Sequence, residues 1–230
     1  MQQTRRNVLK AIGLGGVSGF SGVTTAQTTT DGADTARVRG IYAIPGGPPV
    51  DVFVDGTRII NDLSYERVSR YFDFASGQHT IRVVPVGQPR VSSVRREATL
   101  ESGTDYTVAA TGRLQSPDSE VYVDDNAVSA SDEVRLRVIH LSPDAPAVDV
   151  AADGTRLVSN LGFGDASDYL TVPTGSSTLR VTSAGETDSV GTFSVSLTGG
   201  TVVTAFAVGL VTTIDSSQAF DLVTAVDARR

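Results

Sequence analysis

The run His140-Leu-Ser142-Pro143-Asp144 brings the three side-chain types of a charge-relay hydrolase within five residues, and Asp149 and Asp153 follow closely. A serine activated by an imidazole that a carboxylate orients is the constellation for acyl transfer, so this stretch raises a hydrolytic reading. Three features oppose it. The nucleophile turn Gly-x-Ser-x-Gly is absent after residue 26, Ser142 precedes a proline in an extended loop, and nothing nearby supplies an oxyanion hole. The alternative placement of His140 is at the edge of a strand, where another part of the chain carries Tyr42 instead.

The same acids raise a second chemistry. Asp144, Asp149 and Asp153 surround one loop-strand-turn unit, while Asp118, Glu120, Asp124 and Asp125 crowd another, and calcium takes several oxygens at close range. No Asp-x-Asp-x-Asp-Gly loop is present, however. Asp149 lies between Val148 and Val150 and faces away from them, and Asp153 is accounted for by a turn. Asp144, Asp149 and Asp153 are therefore weak metal candidates, with solvated surface acids as the favoured alternative. His79 and His140 are far apart and the chain has no cysteine, which argues against zinc and redox metals, and no cofactor is expected.

These residues sit in a duplicated frame. Residues 38–83 align with residues 136–181 without a gap, at an offset of 98, with 18 of 46 pairs identical. An internal repeat of this kind fixes the architecture. His79 and His140 occupy non-equivalent positions, so a duplicated active site is excluded. In both copies β-branched residues recur with period two in short runs, as in Val50, Val52 and Val54. Strands are predicted near 37–44, 50–54, 57–60, 68–74, 79–85, 93–100 and 105–113, with an edge strand near 120–123. The second set falls near 134–141, 148–152, 155–158, 167–172, 177–183, 190–197 and 201–210, closing near 219–226.

Asp55-Gly56 and Asp153-Gly154 read as tight hairpin turns. The fold class is all-β: two tandem antiparallel β-sandwiches, immunoglobulin-like or transthyretin-like, at 37–128 and 133–230. Each copy is small, so burial between them is expected to contribute to stability. Pro45–Pro49 and Pro143–Pro146 read as stiffened loops rather than polyproline ligands. Tyr65 and Tyr71, matched by Phe163 and Tyr169, suggest sugar stacking, but their recurrence favours packing.

Residues 1–26 read as a twin-arginine signal peptide: Arg5-Arg6 and Lys10, a weakly apolar run from Ala11 to Val23, and Thr24-Thr25-Ala26 as a cleavage site. A Thr-rich disordered spacer, 27–36, follows. The mature chain would carry 16 arginines, no lysine and 26 acids, a formal charge of −10. Such a surface repels nucleic acid and anionic lipid. Neither a lipid-anchor cysteine nor an apolar tail is present, so no membrane insertion is expected after cleavage and the location is extracellular or at the cell surface. Lys-poor, Asp-rich chains resemble haloarchaeal secreted proteins, whose carboxylates hold water in brine.

The stretch Arg137-Val-Ile-His140-Leu-Ser142-Pro143-Asp144-Ala-Pro146-Ala-Val148-Asp149-Val150, followed by Leu161-Gly-Phe163-Gly164, Ser167-Asp-Tyr169-Leu170 and Pro173-Thr-Gly175, resembles the domain-of-unknown-function family 4397. The first copy matches less fully, with Tyr42 for His140 and Gly46 for Asp144. The resemblance implies an exported β-sandwich module, commonly in tandem, and carries no catalytic residues over. The expected function is a secreted or surface-associated, non-enzymatic binding or structural module whose partner is a cell-envelope or extracellular protein or glycan. The alternative is a calcium-dependent or hydrolytic secreted enzyme.

Overall fold

The computed structural model describes residues 34–88, 94–128 and 130–229. Residues 1–26, read as an export signal, and residues 27–33 of the expected spacer lie outside the described residues. The first copy folds as β1 (Thr35–Tyr42), β2 (Val50–Val54), β3 (Thr57–Leu63), β4 (Phe72–Ala75), β5 (Gly77–Pro85), β6 (Val94–Leu100), β7 (Asp105–Arg113) and β8 (Ser116–Asp124). The second repeats it as β9 (Glu133–His140), β10 (Val148–Ala152), β11 (Thr155–Leu161), β12 (Leu170–Pro173), β13 (Gly175–Ser183), β14 (Ser189–Leu197), β15 (Thr201–Val208) and β16 (Asp221–Arg229). Among the described residues no helix is long and apolar enough to cross a membrane.

Each copy is a pair of four-stranded sheets, β4-β1-β7-β8 over β3-β2-β5-β6 in the first and β12-β9-β15-β16 over β11-β10-β13-β14 in the second. The all-β sandwich expectation therefore holds, with one correction to "antiparallel". β1 runs parallel to β7 and β9 parallel to β15: the chain visits the far sheet twice, returning first beside β1 or β9 as antiparallel β4 or β12 and then on the other side of that strand as parallel β7 or β15.

Three local expectations are also corrected. β1 starts at Thr35, inside the stretch read as spacer, since Ala36 pairs with Phe74 and is buried in the first core. The strand expected at 68–74 is ordered as a ladder only from Phe72. Ahead of it the Ser69 hydroxyl accepts from the Gly40 N–H at 2.9 Å, replacing a ladder bond with a side-chain bond, and Ser167 treats Val138 likewise at 3.0 Å. The short edge strand is a full nine-residue β8 paired along β7.

The repeated aspartates explain why the registers match. Asp55-Gly56 and Asp153-Gly154 have φ of 49° and 81°, and of 47° and 85°, the doubly left-handed geometry of a type I′ hairpin turn. Each turn is then clipped to the neighbouring strand: Asp55 accepts from the Thr80 N–H at 2.8 Å and Asp153 from the Thr178 N–H at 2.9 Å. Asp51 and Asp149 do the same for the left-handed bulge residues Asp62 and Asn160, at 3.0 and 2.8 Å.

Between the sheets of each copy lies an ordinary aliphatic core. A third core lies between the copies, where Ile41, Ala43, Ala109, Ile139, Leu141, Phe206 and Val208 join β1 and β7 to β9 and β15. The described residues form one compact unit. The central strands of its two inner sheets are buried on both faces, so β7 and β15 are covered along nearly their whole length. Complete burial of Phe206 alone contributes about 1.5–3 kcal/mol.

Candidate functional site

Alternation decides what reaches the seam between the copies. On β1, Val38 and Tyr42 point into their own sandwich, so Arg37, Arg39 and Ile41 point at the other copy; on β9, Arg135, Arg137 and Ile139 do so. Arg39 and Arg137 are equivalent through the repeat, and both guanidiniums are almost wholly buried. Each is neutralised by the opposite copy. Arg39 lies 2.6 Å from Asp227 on β16, and Arg137 lies 2.5 Å from Asp124 on β8.

The two ion pairs are knitted into one network by threonines. Thr107 donates to Asp124 at 2.6 Å and accepts from Arg39 Nε at 2.8 Å. Thr204 donates to Asp227 at 2.5 Å and accepts from Arg137 at 3.1 Å. Asp227 owes its aim to a β-bulge, since Val202 pairs with Ala228 and Val203 with Val226, leaving the aspartate between them unpaired. Its Oδ1 approaches Arg39 without the alignment of a hydrogen bond. Burial pushes the Asp227 carboxyl up, against the pull of Arg39.

Tyrosines stack into the same network. Tyr71 lies within 5.2 Å of Arg37 and 4.8 Å of Arg39, and Tyr169 within 4.7 Å of both Arg135 and Arg137. Guanidiniums therefore occupy the ring faces that a sugar would need, and the packing reading of Tyr71 and Tyr169 is the one the geometry supports. The two rings differ at the tip. Tyr71 donates to Asp124 at 2.7 Å, whereas the buried hydroxyl of Tyr169 and the Nε of Arg137 have no hydrogen-bond partner in the protein. Burial pushes the Tyr169 hydroxyl up to about 12.

Beside these groups, where β8 of one copy meets β9 of the other, a polar cleft of about 540 Å³ opens, lined by Tyr122, Asp125, Arg135, Arg137, Asp168 and Tyr169. Tyr122 bridges its end by donating to the Gly164 carbonyl at 2.8 Å. Arg135 holds the other end, reaching the carbonyls of Asp125 and Ala127 at 3.1 and 2.6 Å and the Asp125 carboxylate at 2.7 Å. Asp168 is exposed at the rim. The void inside the first sandwich is apolar and only about 30 Å³, too small for more than a water-sized guest.

The residues singled out from sequence fall elsewhere. His140 is fully buried, with Nε2 3.1 Å from the Pro146 carbonyl and Nδ1 3.3 Å from the Ser142 N–H, so backbone groups engage both ring nitrogens. Burial lowers its pKa, and that pairing describes a neutral ring protonated on Nε2. The Ser142 hydroxyl donates to the Gly209 carbonyl at 2.7 Å. No charge relay is assembled from His140 and Ser142.

Asp144, Asp149 and Asp153 are not brought together either. Asp149 and Asp153 clip backbone at opposite ends of β10, and Asp144 accepts from the Val211 and Thr212 N–H groups at 2.8 and 3.1 Å. Among the described residues no cluster of three His, Asp or Glu side chains is arranged to hold a metal. Asp118 and Glu120 are likewise engaged locally, with the Ser119 N–H and Arg96.

A sequence-profile match labelled as a domain of unknown function, DUF4397, covers residues 36–151 and again 140–229. The chain belongs to the DUF4397 family. The first match runs past β8 into β9 and β10, so the two matched stretches overlap at residues 140–151, inside the second copy. A search of curated proteins finds no match. In this DUF4397 pair the repeated acids serve turns and bulges, and the repeated pair Arg39 and Arg137 serves the seam. Arg39 and Arg137 are one of the identical pairs of the gap-free repeat, but their partners fall outside it, because Asp124 and Asp227 stand 103 residues apart rather than 98.

Proposed function

We propose that this DUF4397 protein is an exported, surface-associated binding or structural module without catalytic activity, and that the seam cleft is where it meets a cell-envelope or extracellular protein or glycan. The observation that carries this reading is the cleft itself. It is the place where a buried tyrosine hydroxyl and a buried guanidinium nitrogen lack partners beside exposed Asp168, while the side chains that suggested hydrolysis are fixed by backbone groups. A few convergent polar groups in a concave site are the usual makings of recognition. The twin-arginine signal and the acid-rich, lysine-free surface support export and a life in salt.

One set of strains tests the reading. Precursor carrying Arg5 and Arg6 changed to lysine should stay in the cell, and purified mature protein should sediment with isolated cell envelopes. Asp168→Arg, a surface change at the cleft rim, should cut that retention about tenfold or more. Secretion of the lysine variant at the normal level would refute the export route. Retention equal to wild type for Asp168→Arg would move the contact away from the cleft.

A further inference from the structure

The second copy departs from the first most sharply between β15 and β16. Twelve residues, Gly209–Phe220, replace the two-residue turn Leu114-Gln115. This loop is braced from within. Asp144 accepts from the Val211 N–H, the Thr212 N–H and the Thr212 hydroxyl, and Asp215 accepts from the Ser217 N–H, the Ser217 hydroxyl and the Gln218 amide at 2.7–2.9 Å. Leu210 and Phe220 close the neck with backbone bonds of 2.8 and 2.9 Å. Gly209, at φ +84° with the Ala219 carbonyl 2.2 Å from where a Cβ would stand, admits no other residue there.

What the brace presents is Ile214, fully exposed at the tip. It buries nothing within its own chain and is free to enter a pocket elsewhere. A matching surface exists on the same molecule. At the loop end of the first sandwich a pocket of about 300 Å³ is lined mainly by Ile44, Pro48, Val83, Pro85 and Leu114, over Tyr42. A recess of about 260 Å³, whose walls include Leu114 and Gln115 on one side and Leu210 and Gln218 on the other, joins that pocket to the base of the loop. Knob and hole therefore share one end of the molecule. Opposite charges share it too: Arg113 lines the recess and is exposed, and Asp215 stands on the loop beside Ile214.

A surface that carries its own complement closes by a two-fold axis, residue i meeting j and j meeting i. We propose that the mature chain forms a two-fold homodimer in which Ile214 of each protomer enters the Pro48–Leu114 pocket of its partner, with Asp215 facing the partner's Arg113. A chain of formal charge −10 repels its copy, and this end, where an aliphatic knob and hole lie between charges of opposite sign, is where that repulsion is offset. The inference stands apart from the seam cleft and does not depend on what binds there.

Sedimentation equilibrium of the mature chain tests it, in about 1 M potassium chloride, where the Debye length is about 3 Å. The expected result is a monomer–dimer equilibrium that Ile214→Asp and Leu114→Arg each weaken at least about 30-fold, the size of an interface hot spot. Both positions are exposed, so unchanged circular dichroism and thermal midpoint will certify the variants as folded. Mixing the two variants leaves one knob-and-hole contact intact and should recover heterodimer tighter than either variant alone. A monomer at every concentration, a dimer indifferent to Ile214→Asp, or open-ended oligomers in place of a dimer would each overturn the proposal.

Discussion

At four core positions of the first copy, Val50, Val52, Ile81 and Val83, 3–9% of the residue surface is exposed, whereas their counterparts Val148, Val150, Leu179 and Val181 are completely covered. The backbone plan is the same in both. The extra cover in the second copy comes from Phe193 and from Phe220, which packs down from the base of the long β15–β16 loop and lies 6.0 Å from the Phe193 ring. The first copy has only a tight turn there, and it keeps the small apolar void. Two descendants of one domain thus hold their turns in common and differ where an insertion touches the core, so stability and novelty are coupled in the second copy.

The seam gives the strongest way to break the likeness. Removing Arg39 leaves Asp227 buried with Thr204 as its remaining close donor, whereas removing Arg137 leaves Asp124 with both Thr107 and Tyr71. Arg39→Met should therefore cost about 3–5 kcal/mol, the range for an abandoned buried charge, and Arg137→Met clearly less. Urea unfolding of the two variants checks the order, and equal losses would show that the network is shared more evenly than its geometry.

A smaller effect sharpens the loop comparison. In the first copy, a Cβ on Gly47 would stand 1.9 Å from the Tyr42 hydroxyl; the second copy has Ala145 there and His140 in place of the tyrosine. Gly47→Ala should destabilise by about 1–3 kcal/mol through overpacking. Adding Tyr42→His should recover much of the loss, because the pair then matches the second copy. Thermal unfolding in a double-mutant cycle reads the coupling, and additive losses would sink the idea that these positions exchange as a unit.

The smallest difference concerns acid. Asp149 is held below the usual carboxylate range by the Asn160 N–H and then, after its burial cost, by the Gly185 N–H and Arg156, and a shift of comparable origin lowers Asp55 and Asp153. A depressed carboxyl pKa contributes stability above the unfolded value of about 4 and loses it as pH falls through the folded value. The midpoint should thus fall steepest below about pH 4, and Asp149→Asn should flatten that limb. An acid limb of unchanged slope in the variant would assign the loss to other groups.

The strands, the hairpin turns and the duplication were legible because period-two burial and Asp-Gly chemistry are written locally. β4 was placed too early because the serine hydroxyls that replace its first ladder bonds look, in sequence, like any strand residue. The seam was not legible. β1, β7, β9 and β15 bury both faces, so their seam-facing arginines and threonines sit among small apolar residues without marking a surface. The acids that answer Arg39 and Arg137 are displaced from the repeat offset by the long loop and by the bulge at Asp227, which no gap-free alignment could pair. Asp144 stood out as a departure of the second copy from the first, and in the structure it braces the long loop by accepting from the Val211 and Thr212 N–H groups.

The crossed arrangement of Arg39 with Asp227 and Arg137 with Asp124 has a topological corollary. Each half answers the other's charges, so two chains could trade halves and satisfy every seam contact without any new chemistry, as in domain swapping. What keeps the exchange within one chain is the tether. Only eight residues, 125–132, connect β8 to β9, and Arg135 fastens them through the carbonyls of Asp125 and Ala127. A connection that short holds the halves at an effective concentration on the order of millimolar, far above that of any other chain in dilute solution. Lengthening the tether, or freeing it from Arg135, is the change that would turn a closed pair into interlocked chains.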